Sequence, residues 1–440
     1  MADYHVLAAI QDTLKIVYGE GITNQFKGEK TTYNHFLKSN RKPAGLGYVF
    51  ATRYARAQGI GARKESVMLP EALVGKTDQS KILPKYNYGV LRLSGPMIEA
   101  SKGNIGAMVD GMSDAVQDIY QGIVVDLNRQ SCGDGFGELA TLSANSDALS
   151  QSAEWDVTCN VAGGIGVSRC IEGMLVDFYA AGTAIDQSSV ASRIASVNPA
   201  TNVITMEAHD AEYMASHPIT AARGYTIVEE AVPSGSRVVR IGAREAAHAT
   251  TNTPIEMTGL DGIYDDGTLL ASFQDITVAD NPKWAATLLG NSGTPRELTL
   301  DLMLQAIDVS RVKSGKAIQT MRMGVGQRRK YAGLLIGDVR FAPTTLRGGY
   351  EVLTFSAGDG SIEMVIDPSL SPGKIFFEPN NVIKKYELTP LGWGNLDQQI
   401  HQRSGYDEWD QFLRIYSNIG CEQRNCLTLL TDLIEPSLFT

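Results

Sequence analysis

Residues 91–135 read LRLSGPMIEASKGNIGAMVDGMSDAVQDIYQGIVVDLNRQSCGDG, and this stretch decides the fold. It begins as an apolar strand and closes on the glycines Gly133 and Gly135. Between them, apolar residues keep the i, i+3, i+4, i+7 spacing of one helix face, at Ile105, Met108, Val109, Met112, Val116, Ile119, Ile123, Val124 and Leu127. The spacing predicts one amphipathic helix over residues 106–132, roughly 40 Å long. Both glycines are expected to end it with φ > 0.

This stretch also resembles a known family. A strand, the tripeptide SGP, a long helix, DLNRQ and a GDG turn are similar to the spine-helix region of tailed-bacteriophage major capsid proteins, which have the Hong Kong 97-type coat fold. Further similar strings follow in the same order, at residues 256–263, 266–270, 297–314, 324–341 and 419–426. The resemblance covers the order of elements from about residue 44 to residue 433, and it is weakest over about 155–241.

The resemblance implies an α+β protein of the Hong Kong 97-type, with an N-terminal arm, an extended hairpin loop, a peripheral domain with a long spine helix, and an axial domain. A β-rich region is inserted in the axial domain or extends it. The expected division is an N-terminal helix and basic arm (1–60), the β-hairpin loop (61–94), the spine helix (95–135), the axial domain (136–400, with the β-rich region at about 155–241) and C-terminal strands returning to the peripheral domain (401–440).

The charge is distributed unevenly along the chain. Residues 1–64 carry ten Lys/Arg and four Asp/Glu, whereas the whole chain has a net charge of −10. A basic arm of this kind, interleaved with aromatic residues, fits contact with acidic neighbouring subunits. Contact with nucleic-acid phosphates and a solvated surface without a partner are the alternatives.

The hairpin is expected to pair strands 63–70 and 86–94 through a long connection. An isolated hairpin is barely stable, and apolar residues exposed near its tip indicate a covering chain. A folded-back active-site lid is the alternative. The predicted intersubunit residues are Arg41, Lys42, Arg53, Arg56, Leu73, Val74, Lys76, Lys81, Ile82 and Leu83. Some relatives link such a hairpin covalently through a lysine, but no partner can be assigned here, so a noncovalent shell is expected.

Period-two alternation and turn residues predict further strands at 155–161, 174–179, 192–196, 202–207, 225–230 and 237–241. A helix over 296–314 is expected to start with Thr294 as its N-cap and to stop at Gly315. A strand at 318–323, a helix at 325–336 and a mixed sheet of 352–355, 362–366 and 374–377 follow. Strands 408–415 and 420–431 are expected to pair with each other.

Signals for catalysis and cofactors are missing from the sequence. There is no GxxxxGK[ST] phosphate loop, and the glycines at 163–166 have the wrong spacing for a dinucleotide site. The six histidines and five cysteines are scattered, without metal-ligand spacing. No apolar run reaches the roughly 18 residues of a membrane helix, and the first residues lack the pattern of a signal peptide. We therefore predict no catalytic, cofactor-binding or metal-binding residues.

The function implied by the resemblance is that of a major capsid protein, which forms pentamers and hexamers of an icosahedral head. The expected partners are other copies of the chain, a portal protein at one vertex, separate scaffolding and decoration proteins, and packaged double-stranded DNA bound without sequence specificity. The expected location is the virion, after assembly in the host bacterial cytoplasm. Because only about 60 residues precede the hairpin, no cleaved scaffolding segment is expected. The alternatives are an enzyme with a β-rich substrate domain and a nucleic-acid binding module.

Overall fold

A computed structural model of the chain describes residues 31–72, 74–96, 111–145, 154–160, 166–179, 192–208, 234–243, 254–336, 354–356, 360–394, 401–402 and 405–436. Its helices are α1 (Thr31–His35), α2 (Gly111–Cys132), α3 (Leu260–Ile263), α4 (Leu300–Ser314) and α5 (Val325–Ile336), with 3₁₀ turns at Pro282–Trp284 and Arg424–Cys426. We call α2 the spine helix. The predicted helix at 3–18 and the predicted strand at 225–230 lie outside the described residues.

The strands of the described part are β1 (Leu37–Lys38), β2 (Tyr48–Arg53), β3 (Thr77–Ile82), β4 (Lys85–Ser94), β5 (Glu138–Thr141), β6 (Trp155–Thr158), β7 (Leu175–Tyr179), β8 (Ser192–Asn198), β9 (Val203–Ala208), β10 (Arg237–Arg240), β11 (Ser272–Phe273), β12 (Ile276–Thr277), β13 (Thr287–Leu289), β14 (Thr320–Met323), β15 (Thr354–Ser356), β16 (Ser361–Ile366), β17 (Ile375–Glu378), β18 (Ile383–Trp393), β19 (His401–Gln402), β20 (Glu408–Cys421) and β21 (Thr428–Leu430). Sheet A contains β1, β18, β20 and β19, with β4 paired to β20. Sheet B has the order β13-β21-β17-β14-β16-β15.

The spine helix packs on one face of sheet A. Ile123 and Leu127 are buried against Leu413 and Ile415 of β20, and the half-buried Ile119 bridges this cluster to the buried leucines of β4. Gly89 of β4 lies directly beneath the helix, where an added Cβ would stand 2.5 Å from the Ile123 side chain. The apolar stripe therefore faces the sheet as the sequence predicts.

The end of the spine helix differs in one detail from the prediction. Gly133 closes the last turn by donating its N–H to the carbonyl of Gln130 at 3.0 Å. Positive φ occurs instead at Gly135 (94°) and Gly137 (72°). The predicted helix start at residue 106 and the side chain of Met112 lie outside the described residues.

The predicted hairpin pairing is wrong. Strand β2 pairs with β3, from Tyr48↔Ile82 to Arg53↔Thr77, and residues 63–70 carry no strand. Strand β4 instead pairs with β20 along its whole length. The physical reason is burial, because the apolar residues of β4 need the spine helix on their face of the sheet. The hairpin therefore begins within the segment assigned to the basic arm.

The β-rich region closes on itself. Its antiparallel order is β5-β10-β7-β8-β9-β6, and a bridge between Leu142 and Cys159 joins the two outer strands. Two hydrogen bonds flank that bridge, from the Ser143 N–H to the Thr158 carbonyl (2.9 Å) and from the Asn160 N–H to the Thr141 carbonyl (2.7 Å). The resulting six-stranded barrel encloses its own apolar core. Five predicted strands of this region are confirmed, and β5 was missed.

Two expectations about the second half of the chain are wrong. Residues 408–415 and 420–431 do not pair with each other, because β20 is one long strand of sheet A and β21 lies between β13 and β17 in sheet B. Helix α4 starts after Thr299, whose side chain accepts a hydrogen bond from the Leu302 N–H. The helix does not begin at the predicted cap, Thr294. The Arg296 N–H there donates a hydrogen bond to the carbonyl of Asp432. Gly315 ends the helix with φ 72° as predicted.

The spine-helix contact gives a direct stability test. Leu127 is 1% exposed, so Leu127→Ala should lower the free energy of unfolding by about 2–5 kcal/mol, because it leaves a cavity under the helix. Tyr120→Ala on the exposed side of the same helix is the control and should change it little. Chemical denaturation measures both, and equal midpoints for the two variants would contradict the packing described.

Candidate intersubunit surface

The root of the β2–β3 hairpin is fixed to sheet A. Tyr48, Phe50 and Ile82 bury their side chains with Tyr386 of β18. The rings of Tyr48 and Tyr386 meet edge to face at 5.1 Å, and the Tyr48 hydroxyl donates to the Glu387 carbonyl at 2.8 Å. These contacts hold the root rigidly on its own subunit.

The far end of the two strands is held by different elements. The Asn281 amide donates to the Asp78 carboxylate at 2.6 Å, whereas nearer the root the Lys81 N–H donates to the carbonyl of Gln274 at 2.9 Å. The ring of Tyr54 packs edge to face on Trp284 at 6.4 Å. The hairpin is thus anchored along both strands, up to residue 54.

Residues 54–76, called loop 54–76 below, extend beyond this anchor, and their described part, 54–72 and 74–76, carries no helix or strand. Their large apolar side chains are between 54% and 93% exposed, at Ile60, Val67, Met68, Leu69 and Val74. Single exposed apolar residues are ordinary, but a cluster of five on one loop marks an interaction site. Of this group, the sequence predicts only Val74 as an intersubunit residue, because residues 63–70 are expected to form a strand. The run Val67–Leu69 without period-two alternation was the available signal.

The predicted intersubunit residues fall into two groups. Val74, Lys76, Lys81 and Leu83 are exposed, as are Lys42, Arg53 and Arg56, whose side chains make no ion pair with any other residue in the described ranges. Leu73 lies outside the described residues. These positions remain candidates for contact with a neighbour.

Two of the predicted residues serve their own subunit. Ile82 is 2% exposed because its side chain fills the hairpin root. The Arg41 guanidinium pairs with Glu422 at 3.0 Å and lies over the Phe50 ring at 4.7 Å. The burial of Ile82 contradicts the prediction that it faces a neighbouring chain, whereas the side chain of Arg41 is 46% exposed and its contact with a neighbour remains a prediction.

A second exposed surface lies on the face of sheet A opposite the spine helix, which we call the outer face. Tyr86, Tyr88 and Val90 of β4 are more than half exposed there. They stand beside Phe412 and Tyr416 of β20, with ring centroids 5.0–6.3 Å apart. The alternation of residues 86–94 predicts a two-faced strand, but only the register with β20 assembles this aromatic row.

The outer face also carries charge. The Arg92 guanidinium pairs with Asp410 at 2.7 Å at one end. Arg414, opposite Tyr88 and between Phe412 and Tyr416, places its guanidinium within the aromatic row, 5.6 Å from the Tyr416 ring. The Tyr88 hydroxyl donates to that of Tyr416 at 3.4 Å, which raises the pKa of Tyr88 and lowers that of Tyr416. The surface is therefore an aromatic row with one arginine inside it and an ion pair at one end, and aromatic residues and arginine are both enriched in protein interfaces.

The described ranges hold no group of three or more His, Cys, Asp or Glu side chains that could bind a metal ion. No helix within them is long and apolar enough to cross a membrane. All five cysteines are buried thiols.

Comparison with known proteins gives matches at the level of structure alone. No protein-family description and no curated protein matches the sequence. A chain of the capsid asymmetric unit of cyanophage A-1(L) is 12% identical, with 97% of this chain and 99% of that chain covered and a TM-score of 0.53. Chains from Mycobacterium phage Bobi (7% identical, 98% and 98% covered, TM-score 0.45) and from the capsid of Myoviridae phage XM1 (8% identical, 96% and 97% covered, TM-score 0.44) are more distant.

The division between anchored root and exposed loop can be tested with two small substitutions. Ile82→Ala should lower the thermal midpoint of the purified subunit, since it removes buried contacts worth about 2–4 kcal/mol. Val74→Ala should leave the midpoint nearly unchanged, because Val74 is 93% exposed. A loss of stability with Val74→Ala that equals the loss with Ile82→Ala would contradict this division.

Proposed function

We propose, on the basis of the Hong Kong 97-type coat fold that this chain has, that it is the major capsid subunit of a tailed bacteriophage. Copies of the chain would form pentamers and hexamers of an icosahedral head. The observation that carries this proposal is the agreement of fold with the cyanophage capsid chain along almost the full length of both. An extended element with an exposed apolar end supports it, because a cluster of exposed apolar side chains marks a surface that another chain covers.

Loop 54–76 would be the element that joins subunits. Its root is rigid and its 23 residues can extend up to roughly 35 Å out and back at about 3.3 Å per residue. Its basic side chains, Arg56, Arg63, Lys64 and Lys76, outnumber the acidic Glu65 and Glu71. The remainder of the chain is acidic, so electrostatic attraction would bring the loop towards a neighbour.

The outer face of sheet A is the surface on a neighbour that best suits this loop. Met68, Leu69 and the other exposed apolar residues match the aromatic row of Tyr86, Tyr88 and Tyr416 in chemistry. The loop residues, Tyr86 and Tyr88 remain exposed in the single chain, so the loop does not cover these tyrosines within it. A contact from the loop of one copy to the outer face of the next is heterologous, and a rotation that closes it gives a ring.

The remaining partners follow from the proposed role. The head would enclose double-stranded DNA, meet a portal protein at one vertex and be assembled with separate scaffolding and decoration proteins. The protein would be found in the virion after assembly in the host bacterial cytoplasm. An enzyme with a β-rich substrate domain is the rival. The barrel does not favour it, since the interior of the barrel is filled by its own apolar side chains.

Expression of the full chain followed by size-exclusion chromatography and electron microscopy tests the proposal. Capsomers or closed shells of megadalton mass are the expected result. A monodisperse monomer or small oligomer at all concentrations, with no particles in micrographs even after addition of crowding agents, would count against a coat function.

A double substitution in the loop tests its role in assembly. Met68→Ser with Leu69→Ser should abolish closed shells, because it removes apolar surface that the neighbour would bury. The thermal midpoint of the unassembled subunit should stay the same, since both side chains are more than 80% exposed. Deletion of residues 57–72 should have the same effect and spares both hairpin strands. Particle counts by electron microscopy, together with circular dichroism, measure the two outcomes.

The matched control changes charged positions of the same loop, Lys64→Ser with Glu65→Ser, and leaves its net charge as it was. This variant should still form shells. Normal shells from the Met68/Leu69 variant would overturn the assignment of the loop, and so would equal loss of shells in both variants.

A further inference from the structure

Three parts of the subunit meet at the end of the spine helix. Residues 133–137 form a turn that leads from Cys132 directly into β5 of the barrel. Gly135 and Gly137 both have positive φ, and an added Cβ at Gly135 would stand 3.3 Å from the backbone of Thr258. The turn is therefore tightly packed, and the angle between spine helix and barrel depends on it.

Arg169 clamps this junction from the barrel side. Its neighbours Val167 and Cys170 belong to the barrel core, so the guanidinium moves with the barrel. It donates to the carbonyls of Cys132 (2.6 Å) and Ser369 (3.1 Å), to the Asp261 carboxylate (2.7 Å) and to the Ser371 hydroxyl (3.1 Å). One side chain thus links the barrel, the helix end, α3 and the segment before β17.

Asp134 is a buried carboxylate in the middle of this junction. It is 5% exposed, and it accepts a hydrogen bond from the Phe136 N–H at 2.9 Å. The two nearby cations are both bound to Asp261, Arg169 at 2.7 Å and Lys374 at 2.9 Å. Asp134 itself forms no ion pair with any residue of the described ranges.

The charges around Asp134 favour its protonated form. Glu138 of β5 and Asp261 of α3 are the carboxylates that act on it, and Arg169 of the barrel loop is the cation that acts on it. The Cys132 thiol precedes the turn, and Lys374 pairs with Asp261. Burial and then the charge of Glu138 raise the pKa of Asp134 to about 6, with a smaller contribution from Asp261. The Phe136 hydrogen bond and Arg169 act in the opposite direction.

We propose that turn 133–137 is an acid-stabilised junction, in which protonated Asp134 fixes the barrel on the spine helix and ionised Asp134 loosens it. The device is built from the glycine turn, the Arg169 clamp and a carboxylate left without a counter-ion. It concerns the isolated subunit and does not depend on the proposed coat function.

The direction of the pH dependence follows from linkage. The closed junction binds the proton of Asp134 more tightly than an open one, where the carboxyl would return to its ordinary pKa of 3.8. Opening should therefore increase as the pH rises from about 4 to about 6 and become constant above that range. A difference of about two pKa units corresponds to a change in the opening equilibrium on the order of 100-fold.

Hydrogen exchange of the purified full chain tests this proposal. Peptides covering residues 133–138 are followed by mass spectrometry between pH 4 and pH 8, with correction for intrinsic exchange. Wild-type protection of the turn should fall with rising pH, with a midpoint between 4 and 6. Asp134→Asn keeps an acceptor for the Phe136 N–H and removes the charge, so its protection should not depend on pH. Asp118→Asn, exposed on the same helix, is the matched control and should behave like the wild type.

A second variant keeps the test decisive if Asp134→Asn does not fold. Glu138→Gln removes the neighbouring charge that raises the pKa of Asp134, so the midpoint of the opening transition should move to lower pH. An unchanged midpoint in Glu138→Gln would overturn the proposal. The same holds for a wild-type turn without pH dependence, or for an Asp134→Asn variant with the wild-type profile.

Discussion

The close contact between the spine helix and sheet A at Gly89 is the constraint on which the rest of the structure depends. Glycine suits this position because an added Cβ would stand 2.5 Å from the Ile123 side chain and force it to shift. That approach lets Ile123 and Leu127 bury against β20. It also fixes β4 beside β20, which turns Tyr86, Tyr88 and Val90 outwards. One packing contact on the inner face thereby creates the exposed surface on the outer face.

A buried ionic network fixes the other half of the spine helix. Arg129 pairs with Asp126 at 2.9 Å and with Glu256 at 2.6 Å, and Arg240 of β10 approaches Asp126 at 3.6 Å. Arginine charges next to Asp126 hold the pKa of that carboxyl well below its usual range, although burial opposes this. Since removal of one partner from such a network leaves an uncompensated buried charge, the geometry is strongly specified. The helix is thus tied to the barrel by ions as well as by the turn that follows it.

The root and the loop of the hairpin differ in how far their conformation is fixed within the single chain. Its root is ordered by buried aromatic contacts before any partner arrives, whereas loop 54–76 has few contacts that would order it. Association would have to offset the loss of conformational entropy of that loop. A rigid root lowers this cost, because only the part that touches the neighbour needs to become ordered. The same logic explains why exposed apolar side chains are concentrated beyond residue 54 and absent from the described strands β2 and β3 except at Val49.

The sequence by itself determined the local elements of this protein. The 3.6-residue stripe from Val116 to Leu127 specified the spine helix, and the alternation at residues 155–158 and 203–208 specified barrel strands, because the periodicity of a helix or a strand is written in neighbouring residues. Only the tertiary structure decided which strands pair. Strand β4 could have completed the hairpin or joined sheet A. Its apolar residues Leu91 and Leu93 are buried only in sheet A, where the spine helix covers them. Because β3 rather than β4 pairs with β2, Ile82 lies in the buried root of the hairpin, and Met68 and Leu69 lie in the exposed loop. The surroundings of Asp134 are also a tertiary feature, since Arg169 and Lys374, far from it in the sequence, pair with Asp261.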